Sequence, residues 1–203
     1  MFLRMNKKVH IATSRPVGDR CLVHAKFNMP EGYELCGTMQ DSDVLISVMY
    51  DTILKEDFIN QRRCYNFHAG VLPDYRGVGI SSWVIINGEK EAGVTLHEID
   101  AGLDTGPIIA CKKFPISNAS TAYSLYREGM EAMFDLFKEY FCKIVTGDYE
   151  TKAVKKKPNS LYTRKMLDDA RDITRLMRAM YFPGKEGLYY YDSEGNKTII
   201  DHD

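Results

Sequence analysis

The chain has no apolar run of the roughly 18 residues that a bilayer span requires, no CxxC pair, and no dominance of either sign of charge. Each absence excludes something. The opening stretch, "MFLRMNKKVHIAT", is too short and too soon basic for a signal peptide, so a soluble, cytoplasmic protein with no membrane partner is expected. The five cysteines (Cys21, Cys36, Cys64, Cys111 and Cys142) are odd in number and scattered. They read as reduced thiols, not as a disulfide framework or a zinc site. With 27 basic and 28 acidic residues the formal charge is -1. That leaves no broad electrostatic footprint for nucleic acid, while small anionic ligands are not excluded. Internal repeats and low-complexity segments are also missing.

What is present is enough apolar material, 44% of 203 residues, for one domain core with a small appendage. "KVHIAT" (8–13) reads as a strand, "DRCLVHAKF" as a helix, and the almost continuous hydrophobe of "SDVLISVMY" (42–50) as a parallel strand buried on both faces. "CYNFHAG" (64–70) begins as a strand and stops at Gly70. "SSWVIINGE" (81–89) predicts a helix capped by Ser81 or Ser82 and ended by Asn87-Gly88. Two strands follow, 92–100 and 106–116, and then a long amphipathic helix from Ser120 to about Gly147. This order predicts an α/β, Rossmann-like, mainly parallel sheet flanked by helices, with ligands at the carboxyl ends of its strands. Residues 1–150 are expected to form that domain. Residues 151–203 form an extension, with a helix at 168–180 and a hairpin at 186–200 turning at Glu194-Gly195-Asn196. The extension is too small for its own core, so it should dock on the main domain or on a second subunit, which favours a homodimer.

Three residues stand out as a possible chemical set. Asn66 and His68 in "NFHAG" share a strand face, and Asp104 in "DAGLDTGPII" lies between Gly102 and Gly106 in a tight loop. An imidazole beside a carboxylate is a general base whose charged form is stabilised, and an amide donates to a developing oxyanion. Acyl transfer to an amine would suit them, without a serine or cysteine nucleophile. The same residues also fit plainer roles: a structural histidine, an aspartate that forms a turn, and an asparagine that satisfies backbone groups. Residue types alone leave both readings open. His97 lies within a strand with no paired ligand spacing, so a His68–His97–Asp104 metal site is not expected, nor any metal.

The run "NFHAGVLPDYRGVGISSWVIINGEKEAGVTLHEIDAGLDTGPII" (66–109) resembles the folate-dependent formyltransferases, whose pattern is Asn-x-His, a Leu-Pro-x-Tyr-Arg-Gly turn, a Trp-x-Ile-x-Asn-Gly helix and Asp-x-Gly. The resemblance implies formyl transfer from N10-formyltetrahydrofolate to an amine. It places Asn66, His68 and Asp104 in the catalytic positions, and the folate beside Val48, Met49, Tyr50, Ile99, Asp100 and Leu103. "TSRPVG", "ISVMYDTIL" and the tail "RAMYFPGKEGLYYY" are similar to the nucleotide-sugar branch of the family. That branch implies a nucleotide-linked amino sugar as acceptor, such as a dTDP-, UDP- or GDP-4-amino-4,6-dideoxyhexose, met by Ser14, Arg15, Tyr75 and Arg76. Glycinamide ribonucleotide and methionyl-tRNA are the alternative acceptors. The first lacks its glycine-rich loop here, and the second lacks room for a further β-barrel. A non-catalytic folate- or nucleotide-binding relative is the alternative of another class. Between the first helix and 42–50 only "NMPEGYELCGTMQDS" intervenes, where the family has a further strand and helix, so the N-terminal half reads as trimmed.

Overall fold

A computed structural model describes residues 6–153, 160–162, 173–185, 187–191 and 196–200. Along the chain run β1 (Lys7–Thr13), α1 (Pro16–Phe27), β2 (Tyr33–Leu35), β3 (Val44–Val48), α2 (Glu56–Ile59), β4 (Arg63–His68), β5 (Arg76–Gly77), α3 (Ile80–Ile86), β6 (Glu91–Glu98), β7 (Ile108–Pro115) and α4 (Ala122–Thr146). After them come β8 (Leu161–Tyr162), α5 (Ile173–Met180), β9 (Leu188–Tyr191) and β10 (Lys197–Ile200).

Six strands form one sheet in the order β2-β1-β3-β4-β6-β7. The β2-β1-β3-β4 half is parallel, and the β4-β6-β7 half is antiparallel. This is the expected mainly parallel α/β architecture. β3, Val-Leu-Ile-Ser-Val, is buried at all five positions, because strands pair with it on both edges and side chains cover both faces. One face of the sheet meets α1 and α4 through Val9, Ile11, Ile46, Val48, Tyr65 and Phe67, packed against Met133, Phe137, Phe141 and Ile144. The opposite face carries a smaller cluster around Ala12, Leu45 and Cys64.

α4 is stopped at both ends by its own sequence. Thr121 Oγ1 accepts from the Ser124 N–H at 3.1 Å while Ser124 Oγ accepts from the Thr121 N–H at 3.0 Å, a reciprocal cap. At the other end Gly147 turns left-handed, with φ 89°. Arg63, from the first residue of β4, donates to the carbonyls of Val145 (2.8 Å) and Ile144 (3.4 Å). A cation thereby sits on the negative end of the helix.

One detail differs from expectation, the cap of α3. α3 begins at Ile80 with no side-chain cap, because Gly79, at φ 74°, makes the turn into the helix. Ser82 instead donates its hydroxyl to the Ala179 carbonyl at 2.6 Å and fastens α5 onto α3. The stretch between α1 and β3 holds the three-residue edge strand β2 and no helix. α5 is described from Ile173 and the hairpin as β9 paired antiparallel with β10. Residues 168–172 and Glu194-Gly195 lie outside the described residues. No described helix is long and apolar enough to cross a membrane.

Phe137 is the side chain on which the main core closes. It is fully buried, and its ring lies 5.4 Å from that of Phe67 and 5.2 Å from that of Phe141. Phe137→Ala is expected to lower the unfolding free energy by about 3–5 kcal/mol, read by urea denaturation. A loss below about 1 kcal/mol would contradict this packing.

Candidate active site

The carboxyl end of β4 brings a row of polar side chains across the sheet. In register, Ser47 of β3 stands beside Asn66 of β4, and Asn66 beside His97 of β6. Two residues along on the same face, His68 stands beside Thr95. Buried polar groups need partners, and the partners orient the side chains of the row. Ser47 Oγ donates to Asn66 Oδ1 at 2.9 Å. His97 Nδ1 lies 2.7 Å from the Glu98 carbonyl, which only accepts, so Nδ1 carries the proton and Nε2 is left as an acceptor. The Asn66 Nδ2 amide, 3.2 Å from that Nε2, donates to it. The orientation of the amide is therefore set from both sides, and its second N–H remains for another acceptor.

His68 is oriented in the same way. Its Nε2 lies 2.7 Å from the Tyr75 carbonyl and donates to it, so Nδ1 bears the lone pair in the neutral ring. A Cβ on Gly70 would sit 2.7 Å from that Nε2 and 2.5 Å from the Tyr75 carbonyl oxygen. The glycine is what lets the ring reach its acceptor. Thr95 steadies the loop by donating to the Gly70 carbonyl (2.7 Å) and accepting from the Leu72 N–H (3.1 Å).

Asp104 comes from the loop joining β6 to β7. It adopts a left-handed backbone, φ 52°, which non-glycine residues avoid at a cost of about 1–2 kcal/mol. That turn sends its carboxylate between the two imidazoles. Oδ2 is 3.6 Å from His68 Nδ1 and Oδ1 is 3.7 Å from His97 Nε2. Oδ2 also accepts the Gly77 N–H at 2.9 Å. Both imidazole distances exceed a hydrogen bond, as is common before a substrate tightens a site. Burial lowers the pKa of His97, and a charge on His68 would lower it further. The attraction of Asp104 opposes both and is the weaker influence. His97 therefore stays neutral and keeps accepting from Asn66. Among the described residues, no group of three or more His, Cys, Asp or Glu side chains is placed to hold a metal.

The Formyl transferase family matches residues 23–139, more than half of the 203 residues. The chain belongs to that family. GDP-perosamine N-formyltransferase of Brucella melitensis is 30% identical over 198 residues, covering 87% of this chain and 75% of that protein. Methionyl-tRNA formyltransferase of Clostridium novyi is 31% identical over 185 residues, covering 85% of this chain and 59% of that protein. Among solved structures, a sugar N-formyltransferase from Shewanella sp. superposes with a TM-score of 0.81 at 18% identity, covering 96% of each chain. The N-formyltransferase of Helicobacter canadensis, solved with folinic acid and dTDP-3-aminofucose, superposes with a TM-score of 0.74 at 24% identity, covering 87% of this chain and 81% of that one. At these identities the structural likeness establishes the fold.

Within this formyl transferase fold, Asn66, His68 and Asp104 lie together. The two stretches read as folate walls also converge, since Tyr50 and Ile99 pack against the same cluster of Ala12, Leu45 and Cys64. The Val48 side chain is fully buried, so only its backbone can meet a ligand. Met49 turns left-handed with φ 53°. Asp100 braces its own loop by accepting from Gly102 N–H and Thr105 Oγ1. Leu103 is exposed. Ser14 and Arg15 sit at the end of β1, where Arg15 pairs with Asp51 at 3.1 Å and donates to the Ser14 carbonyl. Tyr75 and Arg76 both have partners within the chain. The Tyr75 ring is packed in the second core, its hydroxyl donating to Glu89 at 2.7 Å. The Arg76 guanidinium reaches Ser160 Oγ and the Leu103 carbonyl. Ser47, His97 and the backbone of residues 75–77 are the site members that sequence reading did not select.

His97→Gln exchanges the fixed ring nitrogen that accepts from the Asn66 amide for a flexible amide that no longer holds it in place. Its kcat is expected to fall about tenfold or more, with KM little changed. The sign of the His97 shift gives a second readout. A histidine whose folded pKa is depressed stabilises the protein above its unfolded pKa, and that stability is lost as pH falls below about 6.5. Thermal stability should therefore decline with acidification more gently in His97→Gln than in wild type. Parallel pH dependences together with an unchanged kcat would remove His97 from the site.

Proposed function

We propose that the protein transfers a formyl group from N10-formyltetrahydrofolate to the amine of a nucleotide-linked amino sugar. The observation that carries the proposal is the buried constellation of an oriented amide, an imidazole with a free lone pair and a carboxylate. It lies at the strand ends where this fold receives ligands. The donor supplies an electrophilic formyl carbon. The residues around Met49 and the 99–104 loop would hold its ring system, with backbone groups braced by Asp100.

The remaining work falls to the chain's own side chains. The free Asn66 N–H receives the formyl oxygen as negative charge develops there. His68 Nδ1 takes the proton from the attacking amine. Its imidazolium then faces Asp104 through Nδ1–H and keeps the Tyr75 carbonyl through Nε2–H. As the new C–N bond forms and the bond to N10 breaks, the same proton passes from His68 to the departing nitrogen. No atom is left unbalanced and no covalent enzyme intermediate is needed.

A nucleotide sugar is favoured as acceptor because the 30% identity to a GDP-perosamine N-formyltransferase spans 87% of this chain and 75% of that enzyme. Ser14 and Arg15, exposed at the start of α1, would meet its diphosphate. The near-neutral charge gives little attraction for a tRNA backbone. The proposal treats residues 1–150 as the catalytic domain and 151–203 as an extension docked through α5, with the protein acting as a homodimer in the cytoplasm.

Incubation of the purified protein with the formyl donor and a panel of dTDP-, UDP- and GDP-amino sugars should yield one product heavier by a formyl group, seen by mass spectrometry. Formylation of glycinamide ribonucleotide or methionyl-tRNA, with none of any sugar, would refute the acceptor. His68→Asn and Asp104→Ala should each lower kcat by about 10²–10⁴-fold, with folate binding within a few-fold of wild type. Wild-type turnover in either variant would return that residue to a purely structural role.

A further inference from the structure

Both groups whose geometry the reaction depends on are held by main-chain atoms of one short strip. The Tyr75 carbonyl accepts from His68, and the Gly77 N–H donates to Asp104. Arg76, between them, donates to the Leu103 carbonyl at 3.4 Å, one residue before the catalytic aspartate. Yet this strip lies outside the six-stranded sheet. Among the described residues β5 pairs with β8 alone, in a two-stranded ribbon of two residues on each side. A ribbon that short has little stability of its own, so its anchors decide where Asp104 sits.

The anchors come from the chain beyond residue 150. The Arg76 N–H donates to the Ser160 carbonyl at 2.8 Å and the Val78 N–H to the Tyr162 carbonyl at 3.1 Å. Arg76 Nε donates to Ser160 Oγ at 3.0 Å, and Ser160 is buried. The Tyr162 ring stacks on Tyr75 at 5.1 Å and 15° and tilts against Trp83 at 5.1 Å and 39°, while its hydroxyl accepts from Asn87 at 3.1 Å. Gly77 completes the fit. Its φ of 92° suits glycine, and a Cβ there would run into the Tyr162 carbonyl.

We propose that β8 is a clasp that positions the catalytic carboxylate and imidazole, with Tyr162 as its anchoring side chain and Ser160 as its second attachment. Tyr162 is a positioning residue that acts through Gly77 and Asp104. The kinetic form of this inference rests on the formyl-transfer reading; its structural form does not.

The test uses the full chain and the variants Tyr162→Ala, Tyr162→Phe, Ser160→Ala and Asp104→Asn, with the first combined with the last. Tyr162→Ala should lower kcat about tenfold or more, leave both KM values within about threefold, and be largely rescued in Tyr162→Phe, which keeps the ring. In the Asp104→Asn background the same change should cost less than about twofold, because the charge whose placement it disturbs is already gone. Additive losses, or a wild-type kcat in Tyr162→Ala, overturn the clasp. Should Tyr162→Ala fail to fold by circular dichroism, Ser160→Ala leaves the aromatic packing intact and carries the same test. A second readout needs no turnover: the Gly77 amide resonance, moved downfield by the Asp104 carboxylate, should shift upfield in Tyr162→Ala as it does in Asp104→Asn. If it stays in place, the clasp is wrong whatever the chemistry. If it moves while wild type formylates nothing, the proposed function falls and the clasp stands.

Discussion

Burying the carboxylate of Asp104 is the constraint to which the rest of the site answers. An ionised carboxylate out of water is costly unless hydrogen bonds and opposite charge surround it. Among the described residues the Gly77 N–H meets it at hydrogen-bonding distance, and two imidazoles stand just beyond that distance. His97 is held neutral by burial. In the proposed mechanism, positive charge next to the carboxylate comes from the proton that the attacking amine gives to His68.

The same logic runs across the sheet. A backbone carbonyl at Glu98 fixes the tautomer of His97, His97 fixes the face of the Asn66 amide, and Ser47 holds its other end. Each link is a neutral hydrogen bond of modest net worth, yet together they aim one N–H into the site without any moving part. Preorganisation of this kind is what gives a donor its value when charge develops, since nothing has to reorient at that moment. The fold supplies it cheaply, because residues of three adjacent strands are locked in register by the ladder that builds the sheet.

The sheet and the long helix were legible in the sequence because their signals are collective. Val44 to Val48 form an unbroken apolar run, and α4 repeats its apolar face over many turns. The cap of α3 was not legible, because Ser81 and Ser82 offered the usual hydroxyls while the turn was made by a left-handed Gly79. In the site, Asn66, His68 and Asp104 stood out as polar residues at strand ends beside glycines, but plainer roles stayed open until the resemblance of 66–109 singled them out. His97 and Ser47 did not stand out, although Thr95 and His97 repeat the two-residue spacing of Asn66 and His68 on the facing strand. That signal becomes readable only once the register is known. The roles of the Tyr75 carbonyl and the Gly77 N–H belong to the backbone and leave no mark in residue identity.

The protonation states of the two histidines test this account most directly. Long-range ¹⁵N–¹H correlation spectra of the neutral histidine rings should show His68 protonated at Nε2 and bare at Nδ1, and His97 protonated at Nδ1 and bare at Nε2. Those states leave one lone pair for the amine's proton and turn one Asn66 N–H toward the formyl oxygen. A His68 ring protonated at Nδ1, or a His97 ring protonated at Nε2, would reverse the donors and acceptors of the row and contradict the mechanism built on it.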